Sequence, residues 1–157
     1  MQSNINKKTG SPEDWRAREA ATFAFGSILE GPSTQQLAQL VSMGLQFLLD
    51  AMQDPNTHVR NTTAWTIGRI FEFVHGKDPS SPAVINEQNL PKIMAVLLGS
   101  IKDDPVVAEK VCYALSQLFV GFGEGLPSSP VSAYLQPTVQ ALLETVRLGI
   151  FLCCAMQ

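Results

Sequence analysis

Residues 59–68 read Val-Arg-Asn-Thr-Thr-Ala-Trp-Thr-Ile-Gly, and two other stretches of the chain fall into register with them. Ala17–Gly26 (AREAATFAFG) aligns above and Val107–Ser116 (VAEKVCYALS) below, at offsets of 42 and 48 residues. The wider regions in register are Trp15–Leu29, Val59–Phe71 and Val107–Phe119. Such offsets lie near the roughly 40–47-residue period of two-helix solenoid repeats. A solenoid unit works by presenting surface, so the chemical question becomes what binds rather than what reacts.

Working outward from the repeat, six helices are expected. Ser11-Pro12-Glu13-Asp14 reads as a helix start, with a capping hydroxyl, a proline that has no N–H to waste and acids in the first turn. That helix should run to about Glu30 and stop at Gly31-Pro32. Ser33-Thr34-Gln35-Gln36 has the form of a capping box. It opens a second helix whose apolar residues Leu37, Leu40, Val41, Leu45, Leu48 and Leu49 keep a 3.6-residue period. Asp54-Pro55-Asn56 precedes a third helix that reaches about Val74, and His75–Asn86 is a Pro/Ser loop that lengthens the second offset. A fourth helix is expected over Glu87–Lys102 and a fifth from Asp104-Pro105 to the glycines of Gly121–Gly125. After a loop at Ser128–Pro130, a sixth covers Tyr134–Arg147. Strand signals are absent. The expectation is an all-α helical solenoid: half a repeat, two whole repeats and half a repeat over residues 11–147. A disordered polar lead-in (1–10) precedes it, and an atypical apolar tail (148–157) follows. Half repeats at both ends read as a piece of a longer solenoid, or a truncated product, with apolar faces left open.

Composition narrows the function. The chain has 157 residues, 45 % apolar and 16 % charged, which suits one folded domain. A net charge of −3 gives no bulk attraction to nucleic acid or anionic lipid, and favours a basic partner if charge guides one at all. No run approaches the roughly 20 apolar residues that span a bilayer. Cys112, Cys153 and Cys154 form no disulfide framework and, with no signal peptide, point to a reducing compartment. Cys153-Cys154 with two distant histidines lacks zinc spacing, so no metal and no cofactor are expected. Gly121-Phe122-Gly123-Glu124-Gly125 follows a helix and lacks a Lys-Ser/Thr ending, so it reads as a helix stop and not a phosphate loop. The sequon Asn61-Thr62-Thr63 falls inside a helix and is expected to be unused. No catalytic set emerges, and the chain reads as a non-enzyme.

The repeated helices carry the binding candidates. In the third, Val59, Thr63, Thr66, Ile67, Ile70 and Val74 form the packing stripe. Trp65 lies off it, with Asn61, Gly68, Arg69 and Glu72. The register gives one aromatic per repeat (Phe23, Trp65, Tyr113), a polar residue one turn earlier (Glu19, Asn61, Glu109) and acids further on (Glu30, Glu72). A ladder of rings edged with carboxylates suits a basic extended or helical segment. The competing reading makes the aromatics inter-repeat filler and the acids merely solvated. It is favoured for Phe23, is level for Tyr113, and gives way to binding for Trp65, since indole is common at hot spots.

Three blocks bear a resemblance to a known family: DWRAREAATFAFGSILEGP (14–32), DPNTHVRNTTAWTIGRIFE (54–72) and VAEKVCYALSQL (107–118), with LLETV (142–146) beyond them. They resemble the importin-β family of nuclear transport receptors, built of HEAT repeats (armadillo-like helical), over about Pro12 to Val146. The resemblance implies a HEAT solenoid whose second helices line a concave face. It also implies binding of the basic segment of the importin-α adaptor or of basic nuclear-localisation cargo. Ran-GTP and phenylalanine-glycine nucleoporins are the implied partners of the parent receptor, and cytoplasm, nucleus and nuclear pore its implied locations. Trp65 matches an inner-face tryptophan of the family, while Tyr113 stands where many relatives carry another. The alternative reading is a structural HEAT scaffold that engages a multiprotein complex through its loop edges.

Overall fold

The computed structural model describes residues 14–74, 84–122 and 129–155. Within them lie six helices: α1 (Asp14–Ser27), α2 (Thr34–Ala51), α3 (Thr57–Phe73), α4 (Leu90–Ser100), α5 (Pro105–Phe122) and α6 (Ser132–Ala155). The expected lead-in at 1–10 and most of the expected 75–86 loop lie outside the described residues.

Local chemistry sets the boundaries. Asn56 caps α3 by accepting a hydrogen bond from the backbone N–H of His58 (2.9 Å). Pro105 opens α5, where its missing N–H costs nothing. α4 starts at Leu90 rather than the expected Glu87, because Asn86 and Asn89 tie the preceding residues into a turn. The Asn86 side chain accepts from the N–H groups of Gln88 (2.9 Å) and Asn89 (3.2 Å), and the Asn89 amide donates to the Val84 carbonyl (2.8 Å). The expected capping box before α2 takes another form. The Ser33 hydroxyl donates to Gln36 Oε1 (3.1 Å) and accepts no backbone N–H. α1 ends at Ser27, short of Glu30, and Gly31 follows at φ +123°, a conformation that favours glycine. α6 runs past the expected Arg147 to Ala155, since no proline after Pro137 interrupts it.

The helices form two layers. α1, α3 and α5 lie side by side with α3 central; α2 packs on α3, α4 on α5, and α6 on α4. Between the layers sits one core that includes Val41, Leu48, Met52, Ile67, Phe71, Leu97, Ile101, Val111 and Leu118. The expected packing stripe of α3 is buried throughout: Val59, Thr63, Thr66, Ile67, Ile70 and Val74. Its threonines are satisfied, Thr63 on the Val59 carbonyl (2.6 Å) and Thr66 on the Thr22 carbonyl of α1 (3.1 Å). On α6, Leu135, Val139, Leu142 and Val146 are exposed at helical spacing, an open stripe beside the packed Thr138.

Two arginine struts join successive repeats. Arg18 of α1 grips Asp54, in the α2–α3 turn, through two bonds (2.6 and 3.0 Å). Arg60 of α3 grips Asp103, in the α4–α5 turn, the same way (2.8 and 2.8 Å) and also donates to the Asp54 carbonyl (2.9 Å). These bidentate pairs raise both guanidinium pKa values, and the Arg60 hydrogen bonds hold the Asp103 carboxyl below its usual range. Neither strut is legible in the sequence, although Arg18 and Arg60 share a register position.

Candidate functional site: the aromatic seams of the first layer

Along the open side of the α1–α3–α5 layer, Trp65 and Tyr113 each lean across a seam onto a glycine of the neighbouring layer helix. The Trp65 indole stacks on Phe23 (centroids 5.3 Å apart, planes 17°) and covers Gly26. A Cβ on Gly26 would stand 2.6 Å from Trp65 Cζ3 and 2.7 Å from Thr66 Oγ1. Tyr113 covers Gly68, where a Cβ would stand 2.5 Å from Tyr113 Cε1. Both glycines lie three residues after the aromatic of their own helix, so a residue with no side chain is needed at the same register point twice. The third point is Ser116, which is exposed.

Phe23 is 56 % exposed despite its stack, whereas Trp65 and Tyr113 are half-buried. The aromatics are therefore at once seam filler and accessible surface, and the two readings of the ladder describe different edges of the same rings.

The expected carboxylates are present on this side, and each already has a partner. Glu19 accepts from the Thr62 hydroxyl (3.1 Å), and Glu109 pairs with its neighbour Lys110 (2.8 Å). Glu30 pairs with Arg69 (3.2 Å), and Glu72 accepts from the Tyr113 hydroxyl (2.5 Å). Burial and the Glu72 carboxylate push the Tyr113 phenol up to about 12, so it stays a neutral donor at physiological pH. Asn61 is half-buried with its Oδ1 sealed from solvent and without a hydrogen-bond partner, one turn before Trp65.

Most of these pairings join residues about forty apart, which no local pattern reveals. Arg69 is the clearest omission: it lies between Trp65 and Phe73 and reaches back to α1, yet in the sequence it is only one polar position on the stripe. The glycine seats were within reach, since the aromatic-x-x-glycine spacing at 23–26 and 65–68 stands in the repeat alignment.

A polar cleft of about 320 Å³ lies at the turn edge, between the α2–α3 and α4–α5 turns, lined by Asp54, Arg60, Lys102 and Asp103 among others. All four of these groups are already engaged, Lys102 with Glu144 (2.8 Å). Among the described residues there is no cluster of three or more His, Cys, Asp or Glu able to hold a metal. No helix in them is long and apolar enough to cross a membrane.

Residues 15–70 match the model of the HEAT-like repeat family. The chain is 50 % identical over 140 residues to importin subunit beta-1 of Arabidopsis thaliana, an alignment covering 88 % of this chain. The chain belongs to the importin-β family. It spans about a sixth of its plant relative's length, 16 %. Yeast importin-β (Kap95p) in complex with Nup1 superposes with a TM-score of 0.77 at 33 % identity, covering 91 % of this chain and 15 % of Kap95p. Kap95p with RanGDP superposes with a TM-score of 0.76 at 32 % identity, over the same shares of the two chains. The all-α HEAT architecture and the importin-β resemblance read from the three sequence blocks both stand with these likenesses.

Proposed function

We propose that this segment is part of a nuclear import receptor and holds basic nuclear-localisation or importin-α adaptor segments on the open side of the α1–α3–α5 layer. Trp65 is the anchor, Phe23 and Tyr113 flank it, Asn61 stands one turn before it, and Glu19, Glu72 and Glu109 supply acceptors along its edges. One observation carries the reading: a half-buried tryptophan on the central helix, held between Phe23 and Gly26, with carboxylates on both neighbouring helices. Arginine and lysine stems lie well across such rings while their charged heads meet the acids. Relatives seen with RanGDP and with Nup1 support Ran and nucleoporins as partners of the parent receptor, and shuttling between cytoplasm and nucleus as its setting.

Fluorescence anisotropy of the labelled basic N-terminal segment of importin-α, titrated with this chain at low and moderate salt, tests the proposal. Saturable binding that weakens with salt is expected. Trp65→Ala, shown to be helical by circular dichroism, should lose about 2 kcal/mol of binding, as hot-spot anchors do. A folded chain that does not bind sinks the reading. Binding that ignores Trp65 but fails when the Asp54–Asp103 edge is altered favours a scaffold working through its turns.

A further inference from the structure

Arg69 stands at the centre of a complete cation site. Trp65 precedes it by four residues and Phe73 follows by four, so the three side chains form one column on α3. The guanidinium carbon lies 5.2 Å from the Trp65 ring centre and 4.5 Å from that of Phe73. The Gly26 carbonyl of α1 accepts its Nε–H (3.0 Å), and the Glu30 carboxylate, in the turn after α1, accepts from its terminal nitrogen (3.2 Å). Two rings, a carbonyl and a carboxylate around one guanidinium are what would receive an arginine from outside, since an aromatic face attracts a cation within about 6 Å. Here the seat is filled from within. The aligned residues in α1 and α5 are Ser27 and Gln117, so the central rung alone carries this cation.

We infer that Arg69 occupies the Trp65 seat in the unbound protein, and that a basic partner takes full hold of that ring only by displacing it. This rests on the proposal that Trp65 receives a basic segment. The reason is electrostatic: one indole and one carboxylate cannot serve two guanidinium groups at close range without like-charge repulsion, which a half-buried site screens incompletely. Arg69 thereby sets a threshold. Segments with one weakly placed lysine leave it in position, and arginine-rich segments exchange with it, so selectivity comes from an internal competitor as well as from attraction.

The test uses the full chain and the same labelled basic segment. Arg69→Gln keeps an N–H for the Gly26 carbonyl but removes the charge; it should tighten binding about three- to tenfold, the size of one relieved like-charge contact. Arg69→Lys keeps the competing charge and should bind near wild type. In the unaltered protein, the ¹⁵N resonance of Arg69 Nε, held by Gly26, should move to the position of a free guanidinium when the segment saturates the site. This readout does not depend on a variant folding. An Arg69→Gln protein that is folded and binds no tighter, or an Arg69 resonance that stays in place at saturation, overturns the inference. Wild type that fails to bind, or binds equally well without Trp65, would instead overturn the proposed function beneath it.

Discussion

The α1–α3 and α3–α5 seams are built to the same plan and closed by different chemistry. In both, an aromatic crosses from the later helix to cover a glycine, Trp65 on Gly26 and Tyr113 on Gly68. The first seam is then clasped by a cation, Arg69, on the Gly26 carbonyl and Glu30. A neutral phenol closes the second by donating to Glu72. The repeated glycine shows that close helix approach is the constant. The residue that seals the seam is free to vary, and with it the charge offered to a partner. An arginine strut backs each seam, but unequally: Arg18 makes its two bonds to Asp54, whereas Arg60 grips Asp103 twice and also reaches backbone carbonyls of its own turn.

The struts should show the largest difference. Arg60→Met is expected to cost about 2–3 kcal/mol, in the range of multiple charge-assisted hydrogen bonds, and Arg18→Met about half as much. Urea unfolding of the two variants checks this, and equal losses would mean that the extra carbonyl bonds contribute nothing. The Arg60 strut also predicts a pH dependence. Because the folded Asp103 pKa is depressed, its contribution is fully present above the ordinary carboxylate range and is lost as pH falls through the depressed value. Asp103→Asn should therefore lower stability at pH 7 and flatten its decline in acid.

The glycine seats come next. Gly26→Ala should cost about 2 kcal/mol as overpacking, and Gly68→Ala about 1, part of each loss being offset by the better helix propensity of alanine. The order follows from the obstacles. At Gly26 the new methyl meets both the indole and the Thr66 hydroxyl, which is already bonded to Thr22, while at Gly68 a tyrosine ring takes up most of the intrusion. Thermal melts that reverse this order would show the Trp65 side to be the more yielding seam.

The effect of the phenol is no larger than that of the Gly68 seat. Tyr113→Phe should cost about 1 kcal/mol through the lost bond to Glu72, measured by denaturant midpoint. Ultraviolet titration of the unaltered protein should place Tyr113 ionisation near 12, and Glu72→Gln should bring it down toward that of an ordinary tyrosine. An unchanged titration would leave burial as the whole cause.

Much of the architecture was legible because helix periodicity and caps are local. The α3 stripe from Val59 to Val74, the Asn56 start and the Pro105 start follow from residues within a few positions of one another. The boundaries that moved did so through side chains competing for backbone groups. The Asn86–Asn89 turn delays α4, and the Ser33–Gln36 pair bonds to itself. At the candidate site the aromatics and acids were visible as residues in register, but their state was not. In the sequence Glu72 reads as an open carboxylate; in the structure it is the acceptor for Tyr113, 41 residues away.

By itself, the sequence determined that this chain folds as stacked helix pairs, which helix presents one aromatic per repeat, and to which receptor family it belongs. Periodicity and repeat register are properties of order along the chain, and they survive without coordinates. Only the tertiary structure decided which charges are spent and which groups are sealed. Arg69 is held by Trp65, Phe73, Gly26 and Glu30, and Asn61 keeps an unpaired Oδ1. Those outcomes depend on distances between side chains of different helices, set by how closely a seam with glycine in its floor lets two helices approach.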